Sequence, residues 1–150
     1  MRPIVVETVI ARSPEETFAY MRDYSNEAIW QAEHVKDVIV EPPGPAQVGT
    51  RLRKVRRTPS GDQRFTEEVM EMDEAALRWT DMTITGPFRG TTGSWQVLRD
   101  AEGARVRIAV KPHAHGLWRL LLPFVGRTMR RDLQAEFSTL KGILESSSGD

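Results

Sequence analysis

The side chains able to do acid–base chemistry fall into a few groups. Asp81 follows Trp79 by two residues, which on a strand places carboxylate and indole on one face. Between apolar walls such a carboxyl has a raised pKa and can serve as general acid or base toward an enolising carbonyl. A rim position is the plainer reading, because an unpaired Asp is seldom buried. Glu67, Glu68 and Glu71 form an acidic run, and alternation sets Glu68 opposite Glu67 and Glu71, so one acid shares a face with Phe65 and Val69. Glu67 is thus a second candidate acid, although cross-strand pairing with arginine explains the run more simply.

Arg51, Arg53, Lys54, Arg56 and Arg57 make a basic strand in which Leu52, Lys54 and Arg56 share a face. Facing inward, Lys54 or Arg56 would meet a ligand carboxylate or phenolate; facing outward, they are solvated partners of the acidic run. The histidines are His34, His113 and His115. The His113-Ala114-His115 spacing points two imidazoles one way, but no third metal ligand follows, and parity with Val106, Ile108 and Val110 sets both outside. No metal site is expected. His34, shortly after Trp30, is a third candidate acid–base group at a pocket mouth, without an orienting partner that the sequence identifies. No nucleotide loop or Ser-His-Asp order is present, and Ser13 and Ser25 read as helix caps.

Composition narrows the classes further. The chain has 150 residues, no cysteine, and 21 basic against 21 acidic residues. Balanced charge and the lack of a binding motif argue against nucleic acid, and zero cysteines suit a reducing cytoplasm, the expected location. No signal peptide is read at the N-terminus. The strongest apolar run, 117–125, is interrupted by Arg119 and Pro123 and is shorter than the ~20 residues that span a bilayer, so no integral membrane segment is expected.

These groups must be carried by regular elements. Ile4 to Ile10 alternates as a strand. Ser13-Pro14-Glu15-Glu16 starts a helix over about 14–22 through a capping box with Pro at the first position, and a short second helix begins near Ala28. Strand-like segments follow at 35–40, 48–57, 64–72, 77–85, 88–98 and 105–111, separated by turn signals such as Pro42-Pro43-Gly44-Pro45 and Pro59-Ser60-Gly61-Asp62. Links this short make antiparallel neighbours. Leu122, Met129, Leu133, Phe137, Leu140 and Leu144 then form an apolar stripe on a helix that starts around Pro123, with the remainder of its surface covered by Arg130, Arg131, Asp132, Gln134 and Lys141. One domain over 1–145 and a disordered tail over 146–150 are expected.

This order of elements resembles the helix-grip, or START-like, superfamily (SRPBCC, Bet v 1-like). Several segments look like its bacterial polyketide cyclase/dehydrase branch: Ile10-Ala11-Arg12-Ser13-Pro14-Glu15-Glu16-Thr17-Phe18, Asp23 followed by Trp30, Val48-Gly49-Thr50, Gly93-Ser94-Trp95, and Phe137-Ser138-Thr139-Leu140-Lys141. The resemblance implies an α+β helix-grip fold, a curved antiparallel sheet of about seven strands with two short helices and one long C-terminal helix. It implies a cavity between sheet and helix for a small hydrophobic ligand, lipid-like, aromatic or polyketide-like, with no cofactor. The expected ligand-binding residues are Trp30, Phe65, Trp79, Trp95, Trp118, Leu122, Met129 and Leu133. Two other roles stay open: a polyketide cyclase or dehydratase using Asp81, Glu67 or His34, and a protein-interaction domain using a strand edge or the basic face around Arg127, Arg130 and Arg131. A homodimer is also left open.

Overall fold

The computed structural model describes residues 2–146. The strands are β1 (Ile4–Ile10), β2 (Val35–Glu41), β3 (Arg51–Thr58), β4 (Gly61–Asp73), β5 (Arg78–Thr83), β6 (Thr92–Asp100) and β7 (Gly103–Lys111). The helices are α1 (Pro14–Arg22), α2 (Glu27–Trp30) and α3 (Leu122–Ser146). The sheet runs β1-β7-β6-β5-β4-β3-β2 and is antiparallel throughout. Strands β2 to β7 form a meander, and β1 crosses to the far edge, setting Ile4 opposite Val110. This is the α+β helix-grip architecture that the order of segments implies.

Local chemistry sets the element ends. The Ser13 hydroxyl accepts from the Glu16 N–H, capping α1 with Pro14 at its first turn. Between α1 and α2 runs a 3-10 turn over Tyr24–Asn26, and its cap is the Asp23 carboxylate, which accepts from Ser25. The segments 48–50 and 88–91, expected within strands, are turns instead. At the other end, a 3-10 turn over Gly116–Leu121 leads into α3, and Pro123 sits in the first helical turn, where its missing N–H costs nothing. Of the expected tail, Ser146 closes α3, and 147–150 lie outside the described residues.

Two bulges bend the sheet. One separates Lys36 from Ile39 on β2, with Asp37 at φ 54°; the other separates Val69 from Glu71 on β4. The second inverts parity. Glu67 and Val69 point inward, but Met72 is the next inward residue and Glu71 turns to the outer face. Glu67 and Glu71 therefore do not share a face, as strict alternation predicts. The core lies between the concave face of the sheet and the helices. Leu133, Phe137, Leu140 and Leu144 of α3 are buried in it, each worth roughly 1.5–3 kcal/mol of apolar burial.

Candidate functional site

At the centre of the grip, the inward faces of β3, β4, β5 and β6 carry charge as well as aromatic rings. The connection after α1 brings Tyr24 over β5, where its hydroxyl donates to Asp81 Oδ2 at 2.9 Å. Trp95 Nε1–H donates to the same oxygen at 3.1 Å, and Trp79 Nε1–H donates to the Tyr24 hydroxyl at 3.0 Å. The Trp79 and Trp95 rings, paired across β5 and β6, stack with an interplanar angle of 2° and centroids 5.7 Å apart. Asp81 is 5% exposed. Its cross-strand partner is Gly93, where an added Cβ would lie 2.8 Å from Asp81 Oδ1 and 3.3 Å from Trp95 Nε1. Glycine in the Gly93-Ser94-Trp95 segment is what gives the carboxyl its room.

Beside this group, Lys54 reaches inward from β3 and is 8% exposed. Its ammonium donates to Glu27 Oε1 of α2 at 2.8 Å, pairs with Glu67 Oε1 of β4 at 2.7 Å, and lies 3.4 Å from Gln31 Oε1. Its Nζ stands 5.5 Å from the centroid of Phe65. A third polar group closes the gap between β3 and α3. There His34 Nδ1 lies 3.1 Å from Glu136 Oε2 and its Nε2 lies 3.4 Å from Asp132 Oδ1, with Arg56 within 3.8 Å of both carboxylates.

Protonation follows from this crowding. Burial pushes the Asp81 carboxyl well above the ordinary carboxylate range, and the charges of Glu67 and Glu27 add to the rise. Oδ2 accepts two hydrogen bonds, so a retained proton belongs on Oδ1. Burial likewise holds the Tyr24 phenol well above its usual value, reinforced by Asp81. Glu27 is pushed up to about 7 by burial, against the pull of Lys54. Desolvation pulls Lys54 downward, but Glu27 and Glu67 together outweigh it and hold the ammonium above its ordinary value. Glu136 is raised by burial, against the opposing charges of Arg56, Lys54 and His34. Burial and the mutual repulsion of neighbouring carboxyl groups thus raise Asp81 and Glu27 together.

The chain matches the family profile "Polyketide cyclase / dehydrase and lipid transport" over residues 1–145. It belongs to this family. No curated protein matches it by sequence. Among solved structures it is similar to TTHA0849 from Thermus thermophilus, with TM-score 0.82 and 23% identity over 97% of this chain and 99% of that one. It is also similar to Ara h 8.0201, with TM-score 0.72 and 13% identity over 96% and 97% of the two chains. The di-domain ARO/CYC BexL of the BE-7585A biosynthetic pathway matches with TM-score 0.69 and 20% identity, over 95% of this chain and 46% of that protein. At these identities the likeness is one of fold.

Within this family member, the residues singled out from the sequence divide in two. Trp30, Trp79, Trp95 and Leu133 are buried in the grip, with Met129 packed against its edge. Phe65 is half-buried under Lys54, and Leu122 is half-buried at the start of α3. Trp118 lies outside the grip, edge-on to Phe88 at 5.1 Å. Asp81 and Glu67 come together around Tyr24 and Lys54, whereas His34 stands apart with the α3 acids. The rim position for Asp81 does not hold, because Trp79 N–H, relayed through Tyr24, and Trp95 N–H give its carboxyl an interior home. Nor is Lys54 solvated: its Glu67 partner is on the acidic strand, but the pair is inside. His34 does have orienting partners, Asp132 and Glu136, about a hundred residues further on in α3. Asp132, assigned to the outer face of α3, is buried against His34.

Tyr24, Glu27, Gln31 and Glu136 are members of the site that sequence patterns do not single out. Glu136 has a signal, since it falls three residues after Leu133 and four before Leu140, within the apolar stripe. Glu27 has a weaker one, three residues before Trp30. Nothing local marks Tyr24. Two depressions, of about 230 and 390 Å³, lie outside the grip, one between β1 and the start of α3 and one on the outer face of β5 to β7.

Proposed function

We propose that residues 1–145 act as one binding domain that encloses a small hydrophobic molecule between sheet and α3, with a polar end of that molecule at Asp81 and Tyr24. The observation that carries this reading is the buried polar network itself. Apolar residues of the same volume would give a core at least as stable, so a carboxyl, a phenol, a lysine and two indole N–H groups converging there serve recognition. Flat walls are supplied by Trp79, Trp95 and Phe137, and the Trp30 indole N–H, buried with no acceptor, is a further donor for a ligand oxygen. A way in would lead between β3 and α3, past the His34–Glu136 hydrogen bond and the ion pairs of Arg56 with Asp132 and Glu136. Native mass spectrometry against hydrophobic aromatic, fatty-acyl and polyketide probes tests this. One bound molecule per chain, with quenched tryptophan emission and weaker binding by Trp30→Phe, is expected; no retained probe in any class sinks the reading.

A second reading is favoured by the raised Asp81 carboxyl, whose Oδ2 already accepts two hydrogen bonds. With Oδ1–H donating to a ketone oxygen, the carboxyl would assist enolisation and ring closure in a poly-β-ketone held against the indoles, and regain the proton from the substrate carbon. Catalysis of this kind is mostly positioning and exclusion of water. Asp81→Asn would then abolish turnover of a poly-β-keto thioester while leaving the fold intact; an unchanged rate rejects the role.

A further inference from the structure

Around the start of α3 the distribution of polar and apolar residues reverses. Leu117, Leu120, Leu121 and Phe124 are exposed at 81%, 76%, 46% and 63%, a contiguous apolar patch of the kind that marks an interaction surface. Leu120, Phe124, Arg127 and Arg131 follow one another in steps of four, three and four, so the apolar ridge of the 3-10 turn runs directly into a basic ridge on α3. The charge is one-sided. No Asp or Glu occurs between Glu102 and Asp132, although the chain as a whole carries 21 acids and 21 bases. Among the described residues, Arg2, Arg119 and Arg127 make no ion pair, and Arg130 spends one N–H on the Val5 carbonyl at 3.1 Å. Arg2, Arg127 and Arg130 line the depression of about 230 Å³ with Pro3, Ile4, Pro123 and Gly126.

We propose that this end of the molecule docks on an anionic phospholipid bilayer. Leu117, Leu120, Leu121 and Phe124 would enter the headgroup–acyl boundary, and Arg119, Arg127, Arg130 and Arg2 would meet lipid phosphates, one of them seated in the depression. Leucine and phenylalanine flanked by arginine is the side-chain chemistry of an interfacial helix. A second copy of the chain fits less well, since a two-fold contact would set this cationic face against itself. A neutral apolar partner leaves the arginines without a role. The surface is distinct from the grip, so the proposal holds whatever the grip contains.

Co-sedimentation with vesicles tests it, using phosphatidylcholine alone and phosphatidylcholine containing phosphatidylglycerol. The protein is expected on the anionic vesicles and not on the neutral ones, and to leave them as salt is raised. The pairs Leu120→Glu with Phe124→Glu, and Arg119→Glu with Arg127→Glu, should each lower the partition coefficient about tenfold or more. Exposure of all four residues keeps circular dichroism and the melting midpoint unchanged, so a loss of binding is not a loss of fold. Absence of vesicle binding, or equal binding by both variants and the parent, overturns the proposal. So does a dimer in sedimentation velocity that the Leu120/Phe124 variant dissolves while anionic vesicles are ignored.

Discussion

The centre of the grip and the start of α3 are opposites. At the centre, lysine, glutamate and aspartate lie inside, each with a polar partner from another element within about 3 Å. At the start of α3, leucine and phenylalanine lie outside, and among the described residues the guanidinium groups of Arg2, Arg119 and Arg127 make no ion pair. The same side-chain types carry very different weight in the two places. A buried charge depends wholly on its partners, whereas an exposed leucine has little in the folded monomer to lose. Removing one partner at a time is therefore costly at the polar centre and cheap at the apolar helix start.

Four perturbations put that contrast under strain, from the largest effect downward. Lys54→Met removes the cation shared by Glu27 and Glu67 and should destabilise the fold by about 3–5 kcal/mol, read from chemical denaturation; a loss below about 1 kcal/mol would mean water reaches the site freely. Gly93→Ala drives a methyl into Asp81 and Trp95 and should cost about 1–3 kcal/mol, with a change in the near-ultraviolet dichroism of the stacked indoles. The third perturbation is pH. Asp81 is raised in the folded state, so its contribution to stability is full below its ordinary value of 3.8 and is lost as pH rises through the folded value. Glu27 acts in the same sense between 4.5 and about 7. Lys54, also raised, contributes fully below 10.5 and loses that contribution only in stronger alkali. Stability should fall from about pH 4 to about pH 7, and Asp81→Asn should flatten the decline by at most about 1.4 kcal/mol per pH unit; parallel curves for the two proteins would remove Asp81 from the account. Smallest of all, Leu120→Ser should change stability by no more than about 0.5 kcal/mol, because nothing in the folded monomer covers it.

Architecture is readable because each element carries a local mark: the Ser13-Pro14 cap, the turn residues between strands, the stripe from Leu133 to Leu144. Inward direction is readable for Trp79, Trp95 and Val106 to Val110, where alternation runs unbroken. It fails at Glu71, since a bulge at Met70 adds one residue without any sequence signal that separates it from a regular strand. The site resists for a different reason. Burial of Lys54 and Asp81 is unfavourable for each residue taken singly, and becomes stable only when Glu27, Glu67, Tyr24 and Trp95 arrive from other elements. Pairings such as His34 with Glu136 depend on how α3 crosses the sheet, which no local pattern encodes.

The pairing of β1 with β7 also governs when the molecule can fold. Residues 4–10 hydrogen-bond to residues 104–110, so during synthesis at ~5–20 residues per second the opening strand waits roughly 5–20 s for its partner. The meander from β2 to β7 can assemble hairpin by hairpin in that interval, whereas the apolar Ile4, Val6 and Ile10 have nowhere to go. Nascent chains halted after Asp100 should therefore be cut by protease within β1, and chains released after α3 should not. For this fold the vulnerable period ends when β7 and α3 arrive to cover its first strand.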